Sequence, residues 1–410
     1  MSIAIIGGGI TGLALALNLH QRGIGCRVYE AAPEMKELGV GITVLPHAMR
    51  EFTALGLQGD LLQAGIETQE SKFFNRFGQL IYGEPRGKYA GYDYPEVAIH
   101  RGHLHGILYR AAVERLGPDC VQVNRKCVGF AQTGDTVQIS FVETSSGAAV
   151  ETVQADIAIA CDGVNSTVRK QLYPDDSVVF TGINTWRGTS VRKPMLGGRT
   201  YMRVGTIQTG KIVIYPIIDN VDGKGNQLIN WTTEFQSDDQ PQNDWNKPGK
   251  LEDFFHIYQD WHFDWHDIAE MIRTSDDIFE YPMVDKDPLD QWTFDRVTLA
   301  GDAAHPMYPR GSNGAAQGVI DARTLAESLR QMDNPRDALK AYEEARIGPT
   351  ANVVRTNRSS PPDVIIMKVE ELVGDRPFDN LDDYVSQDDL RELSDRYKQI
   401  AGFSKEALRD

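Results

Sequence analysis

The chain opens with SIAIIG, a run with no polar side chain after its first residue. An apolar run this short predicts a strand buried on both faces of a parallel sheet. LALALNLHQRG follows, and Gly23 is where a helix over that stretch is expected to stop. CRVYE then reads as a second strand. The same grammar returns in DIAIACDGVNSTVRKQL (156–172) and in RVTLAGDAAHPMYPRGSNGAAQGVIDA (296–322): apolar strand, turn bearing an acid, helix. Residues 121–155 alternate apolar and polar positions between turn signals, which predicts an antiparallel meander. TWRGTSV, RTYMRVG, GKIVIYPIID and QLINWTTEF read as longer strands, and 244–272 as helix. The tail from Ser360 mixes charge with scattered apolar residues and is expected to be helical and packed on the outside.

These patterns describe an α/β protein with a Rossmann-like domain, discontinuous over 1–69, 99–175 and 281–355 and carrying the meander. A β-sheet substrate domain is expected from 70–98 and 176–280, and a C-terminal helical tail from 356–410. The formal charge of −16 argues against a nucleic-acid surface or anionic lipid, both of which need clustered Lys and Arg. No run of about 18 apolar residues occurs, so no membrane span is expected. The N-terminus lacks a basic stretch and is broken by three glycines, so it does not read as a signal peptide. Cys26, Cys120, Cys127 and Cys161 show no CxxC spacing and read as reduced thiols in a cytoplasmic protein.

The turns carry the chemistry. Gly7, Gly9 and Gly12 supply G-x-G-x-x-G between a strand and a helix, with Glu30 at the end of the next strand. Gly7 permits the tight turn, Gly9 lets a pyrophosphate approach the backbone, and Gly12 lets the helix pack close. The helix N-terminus attracts the anion, and Glu30 is placed to accept hydrogen bonds from an adenosine ribose. This fingerprint alone fits NAD(P) or FAD. Asp162 and Asp302 stand at two further strand ends. Three such acids point to one long ligand across the carboxyl edge of one sheet.

The ordered set GGGITG…YE, CDGVNSTVR and GDAAHPMYPRGSNGAAQGVIDA resembles the class A flavin monooxygenases, the aromatic hydroxylases related to p-hydroxybenzoate hydroxylase. GVGI, IHRGHLHGIL, TWRG, NW, YPMVDKDPL and MYPRGSNGA resemble the phenazine hydroxylases among them. The resemblance implies FAD as cofactor, NADH or NADPH as electron donor and O2 as co-substrate. It implies O2 addition at flavin C4a, then oxygen transfer to an electron-rich aromatic or N-heteroaromatic ring, in a monomer or homodimer. By position it puts Gly7, Gly9, Thr11, Gly12, Glu30, Ala31, Thr43, Arg101, Val128, Asp162 and Asp302 along the FAD. Gly311, Ser312, Asn313, Gly314 and Ala315 would meet the flavin end, although family members often carry G-Q-G-x-N where this chain has GSNGA. Small residues there let backbone press against the ring.

Trp186, Tyr215, Trp231, Met307 and Pro309 are the candidate substrate-pocket residues, and no general base stands out. His100, His103 and His105 invite a metal reading but lie at a strand-to-helix junction where capping is favoured, while His262 and His266, four apart on an expected helix, have no nearby third ligand of obvious spacing. His305 is expected to hydrogen-bond structurally. A flavin oxidase or dehydrogenase, and a non-catalytic flavin redox module, share the FAD motifs. The aromatic-rich segment before GDAAH favours a substrate chamber.

Overall fold

The computed structural model describes residues 1–37, 39–236 and 247–408. Ile3–Ile6 is buried at every position because it is flanked on both sides, pairing in parallel with Ile157–Ala160 and with Arg27–Tyr29. Val297–Leu299 extends the sheet in parallel beyond Ile157–Ala160, and Val121–Gln122 does so beyond Arg27–Tyr29. All these strands therefore deliver their carboxyl ends to one edge. The helix Ile10–Gln21 packs against the helices Arg101–Leu116 and Gly314–Gln331, and buries every residue from Gly12 to Leu19. It ends as expected, with the Gly23 N–H (φ 73°) bonded to the His20 carbonyl. Lys126–Thr133, Thr136–Val142 and Val153–Ala155 form the antiparallel meander.

A second sheet of eight strands lies over that edge. Its order is Lys247–Pro248, Ile278–Asp285, Val179–Arg192, Gln227–Gln236, Gly210–Ile218, Thr200–Thr206, Glu70–Phe74 and Leu80–Pro85. One face packs on the helices Leu251–Tyr258 and Ile268–Arg273, with Ile212, Ile214 and Met202 against Phe254, Tyr258 and Met271. The other face turns toward the first sheet. A separate three-stranded sheet of Gly41–Val44, Val97–His100 and Ile66–Glu67 meets this face where Gly41 donates its N–H to Asn230 Oδ1 at 2.7 Å.

Two expectations need correction. Residues 244–246 lie outside the described residues, and 247–272 is not one helix. His262–Phe263 and His266–Asp267 form a small hairpin between two short helices. The local signal has period two: Trp261, Phe263 and Trp265 turn inward while His262 and Asp264 face solvent. His262 and His266 are thus not one helical turn apart, and His262 Nδ1 instead lies 2.9 Å from Asp267. Among the described residues no three side chains gather as metal ligands. The tail is helical at Val364–Val373 and Gln387–Ile400, but it is not confined to the outside. Ile365, Ile366 and Val369 pack on Phe73, Ile81 and Tyr82, because their shared helical face matches an uncovered end of the large sheet.

Below the first sheet's edge, Asp321 is fully buried and holds three partners: the Gly301 N–H at 3.0 Å, His305 Nε2 at 2.5 Å and Arg346 Nε at 2.7 Å. His305 is therefore fixed beneath the GDAAH turn. Burial would raise the Asp321 carboxyl, but His305 and Arg346 outweigh it and bring it down to about 2. Its ionisation contributes stability fully above about pH 4, and that contribution, on the order of 2 kcal/mol, is lost as pH falls toward 2. Asp321→Asn should cost about 3–5 kcal/mol in urea unfolding at neutral pH, because a buried arginine loses its carboxylate. The variant should also lose the acid-dependent part of stability between pH 4 and 2.

Candidate functional site

The strand-end turns meet too closely for side chains. A Cβ on Gly7 would stand 2.3 Å from the Cys161 carbonyl oxygen, and one on Gly12 would stand 2.0 Å from the Gly7 carbonyl oxygen. Gly7 also has φ 104°, the left-handed region that favours glycine. Gly9 is different: a Cβ there meets nothing within 4 Å. Of the three motif glycines, two close backbone contacts and one faces open space at the start of the helix Ile10–Gln21. Thr11 sits one residue into that helix, its hydroxyl wedged where a Cβ on Gly301 or Gly318 would be (2.5 and 2.2 Å). Its side chain packs the turn, leaving its backbone at the helix N-terminus.

Glu30 accepts from the Gly8 N–H at 2.6 Å and the Ala32 N–H at 2.7 Å. Ala31 is bound through its carbonyl by Thr144, and Val128 is exposed on the meander three residues after Arg125, which donates to the Glu30 carbonyl. Asp162 caps the next short helix, accepting from the Thr167 N–H at 2.9 Å, while its Oδ1 is buried without a hydrogen-bond partner. Burial pushes its carboxyl upward.

Asp302 is surrounded by enough protein to raise its carboxyl pKa, an effect opposed by His305 and Arg101. Its side chain is nevertheless exposed. An acid deep in the fold and yet open to solvent marks the wall of a cleft. Arg101, the exposed first residue of its helix, faces the same cleft, its stem against Gly39.

The loop 308–314 closes one end. Ser312 is left-handed (φ 56°), and Gly314 begins the helix Gly314–Gln331, its Cβ direction 3.8 Å from Asp302 Oδ1. Ala315 and Thr43 line one small hollow with Ile10 and Phe52. Gly311 and Asn313 serve the interior. A Cβ on Gly311 would land 1.4 Å from the Tyr397 hydroxyl, and the Asn313 side chain is wholly buried between His47 and Tyr397. Only their backbone is left for the cleft.

The pocket residues separate by strand parity. Trp186 and Trp231 point to the outer face, where Trp186 stacks on Phe254 (5.0 Å) and Trp231 donates to Ser275. They belong to the outer core and do not line a chamber facing the cleft. Met307 packs on Val353 and Val354 near Gly314, and Pro309 is exposed at the cleft. Tyr215 lies on the inner face, stacked on Tyr201 at 4.9 Å. Burial pushes its phenol pKa upward, so it is a neutral donor at physiological pH. Arg187 was missed by one residue: it follows Trp186 in TWRG, and period-two alternation sends it inward. Its guanidinium lies 5.1 Å from the Tyr281 ring centroid, and its buried Nε has no hydrogen-bond partner.

Residues 1–357 match the FAD binding domain family. The chain is 38% identical over 361 residues to the phenazine 1,6-dicarboxylic acid hydroxylase of Lysobacter antibioticus, covering 87% of this chain and 89% of that protein. The chain belongs to the FAD-dependent aromatic monooxygenases. It is also 30% identical to a 3-amino-4-hydroxybenzoate 2-monooxygenase of Streptomyces platensis, covering 87% and 86% of the two chains. The Klebsiella pneumoniae HpxO structure with FAD and uric acid shares the fold at TM-score 0.76 and 20% identity, covering 100% and 97%. FAD is the cofactor of this family, and the cleft fits it: an open glycine at a helix N-terminus, then an exposed acid, then a loop of small residues.

Two glycine substitutions separate cleft from packing. Gly9→Ala should keep the Tm within a few degrees while weakening FAD binding in a titration, since the methyl group enters only the cleft. Gly12→Ala should unfold at clearly lower temperature, because its methyl group meets backbone.

Proposed function

We propose that this monooxygenase hydroxylates a planar aromatic or N-heteroaromatic acid, with NADH or NADPH as reductant and O2 as co-substrate, in the cytoplasm where that reductant is abundant. The observation that carries the substrate class is Arg187. A buried guanidinium nitrogen without a hydrogen-bond partner, on the face turned to the cleft, is costly unless an anion completes it. The stacked pair Tyr201 and Tyr215 supplies aromatic surface on the same sheet face as Arg187. The two relatives above act, by name, on a dicarboxylic acid and a hydroxybenzoate, which supports an anionic ring.

In this reading the Gly7–Gly12 turn and the helix Ile10–Gln21 hold the FAD pyrophosphate, assisted by Arg101, and Glu30 holds the adenosine ribose. Asp302 anchors the chain between the two ends. Backbone from Gly311 to Ala315 meets the ring, and the N-terminus of Gly314–Gln331 favours negative charge there. Bound FAD supplies reduction by NAD(P)H and activation of O2. Arg187 orients the substrate through its carboxylate, Tyr215 can donate a hydrogen bond, and the large sheet excludes water from the cleft.

With 18O2, one labelled atom should appear in the product. Stoichiometric peroxide with no label across a panel of aromatic acids would favour an oxidase instead. Arg187→Gln should retain FAD but lower kcat/KM for the acid about 10- to 150-fold, the worth of a charged hydrogen bond. The methyl ester of the same substrate should lose far less. Equal losses for acid and ester would remove Arg187 from anion recognition.

A further inference from the structure

Behind the loop 308–313 runs a chain of side-chain hydrogen bonds whose direction is set at one end. Asn357 Nδ2 donates to the Tyr308 carbonyl at 2.9 Å, and a carbonyl can only accept. Asn357 Oδ1 must therefore be the acceptor for the Tyr397 hydroxyl, at 2.9 Å. That uses the only proton of Tyr397, so its oxygen accepts from Asn313 Nδ2 at 3.1 Å. Asn313 Oδ1, 3.0 Å from His47 Nε2, then has to receive a proton from that ring nitrogen. His47 is thereby fixed as the Nε2–H tautomer. Burial holds its pKa down to about 3, so the ring is neutral at working pH. Its flat face stacks on Phe403 at 5.2 Å.

The chain grips both ends of the loop, at the Tyr308 carbonyl and at the Asn313 side chain. Between them, Gly311 has no side chain where Tyr397 passes. Arg310, in the middle, is held from behind by Asp363 at 3.0 Å. Asp363, Tyr397 and Phe403 all lie beyond residue 357, where the match to the FAD binding domain family ends. The loop's remaining freedom is thus removed largely by the C-terminal segment.

We propose that Tyr397 is a positioning residue for the flavin. Through this one-way chain it fixes the loop 308–313 against the ring, so that the C-terminal segment is part of the flavin site. The proposal rests on the reading that this loop meets the flavin.

The test uses the full-length, FAD-loaded protein and three substitutions. Tyr397→Phe strands two buried amides without filling or emptying space. It should raise the FAD dissociation constant roughly 3- to 10-fold, the worth of one or two neutral hydrogen bonds, and shift the flavin absorption bands. Leu390→Ala lies on the same helix but packs in the separate cluster with Ile365 and Phe73. It should lower the Tm and leave the spectrum alone. Gly314→Ala reports on the loop itself and should change the spectrum. Should Gly314→Ala change the spectrum while Tyr397→Phe leaves spectrum and affinity at wild-type values, the proposal is wrong and the loop reading stands. If neither changes them, both fall together. Equal effects from Leu390→Ala would show that lost stability alone is responsible. 15N NMR of labelled histidine should find His47 as Nε2–H at pH 7, and the Nδ1–H tautomer would break the chain's direction and overturn the proposal.

Discussion

A parallel sheet sends the carboxyl ends of its strands to one edge, and everything functional in this molecule follows from that. Ile3–Ile6, Arg27–Tyr29, Ile157–Ala160 and Val297–Leu299 are neighbours, so the turns after them must share a few ångströms of space. The strands come close enough that Gly7 touches the backbone at Cys161, and Gly301 touches Thr11. Two of these contacts leave no room for a methyl group. What room remains is the cleft, and its walls are the acids and N–H groups that the turns cannot satisfy among themselves.

This is why the candidate cofactor-binding turns are legible in the sequence. A turn that must be glycine, after a strand that must be apolar, leaves a mark at fixed spacing, and Glu30, Asp162 and Asp302 sit at fixed offsets from it. The substrate half was only partly legible. Trp186 and Arg187 are adjacent in TWRG, and bulk alone favours the tryptophan as a pocket residue. A strand places neighbours on opposite faces, and which face is inward depends on what covers the other. The covering helix Leu251–Tyr258 belongs to a helix–hairpin–helix succession that changes period twice within about twenty residues, so no single period describes it. The tail was misplaced for a related reason. Its apolar positions match a sheet face formed by residues some three hundred positions earlier, and no local spacing announces that.

The same tail explains a cost that the fold otherwise bears without return. Lys211, Glu234, Arg203, Arg310 and Asp363 are all nearly or wholly buried, with Lys211 Nζ 2.9 Å from Glu234 and 2.8 Å from Asp363. Ion pairs removed from water contribute little net stability, whereas removing one partner is expensive. The arrangement therefore penalises misplacement more than it rewards assembly. Its five members come from three strands of the large sheet, from the loop before Gly311 and from the start of the helix Val364–Val373. Moving any one of those parts away would leave a buried charge without its partner.

The sign of the leftover charge matters as well. Three cations face two carboxylates, and the cations and both acids sit directly behind the loop that carries Arg310. Lys211 and Arg310 hold the Asp363 carboxyl far below the usual carboxylate range against the opposing effect of burial, so it stays ionised. One positive charge is thus in excess, in surroundings where water cannot screen it. The N-terminus of the helix Gly314–Gln331 adds partial positive charge on the other side of the same loop. Both fields favour electron density arriving at the loop, and neither depends on a side chain that reaches the cleft. In the proposed reading, where this loop meets the flavin, that charge is set by the loop's backing, where substrate exchange cannot disturb it.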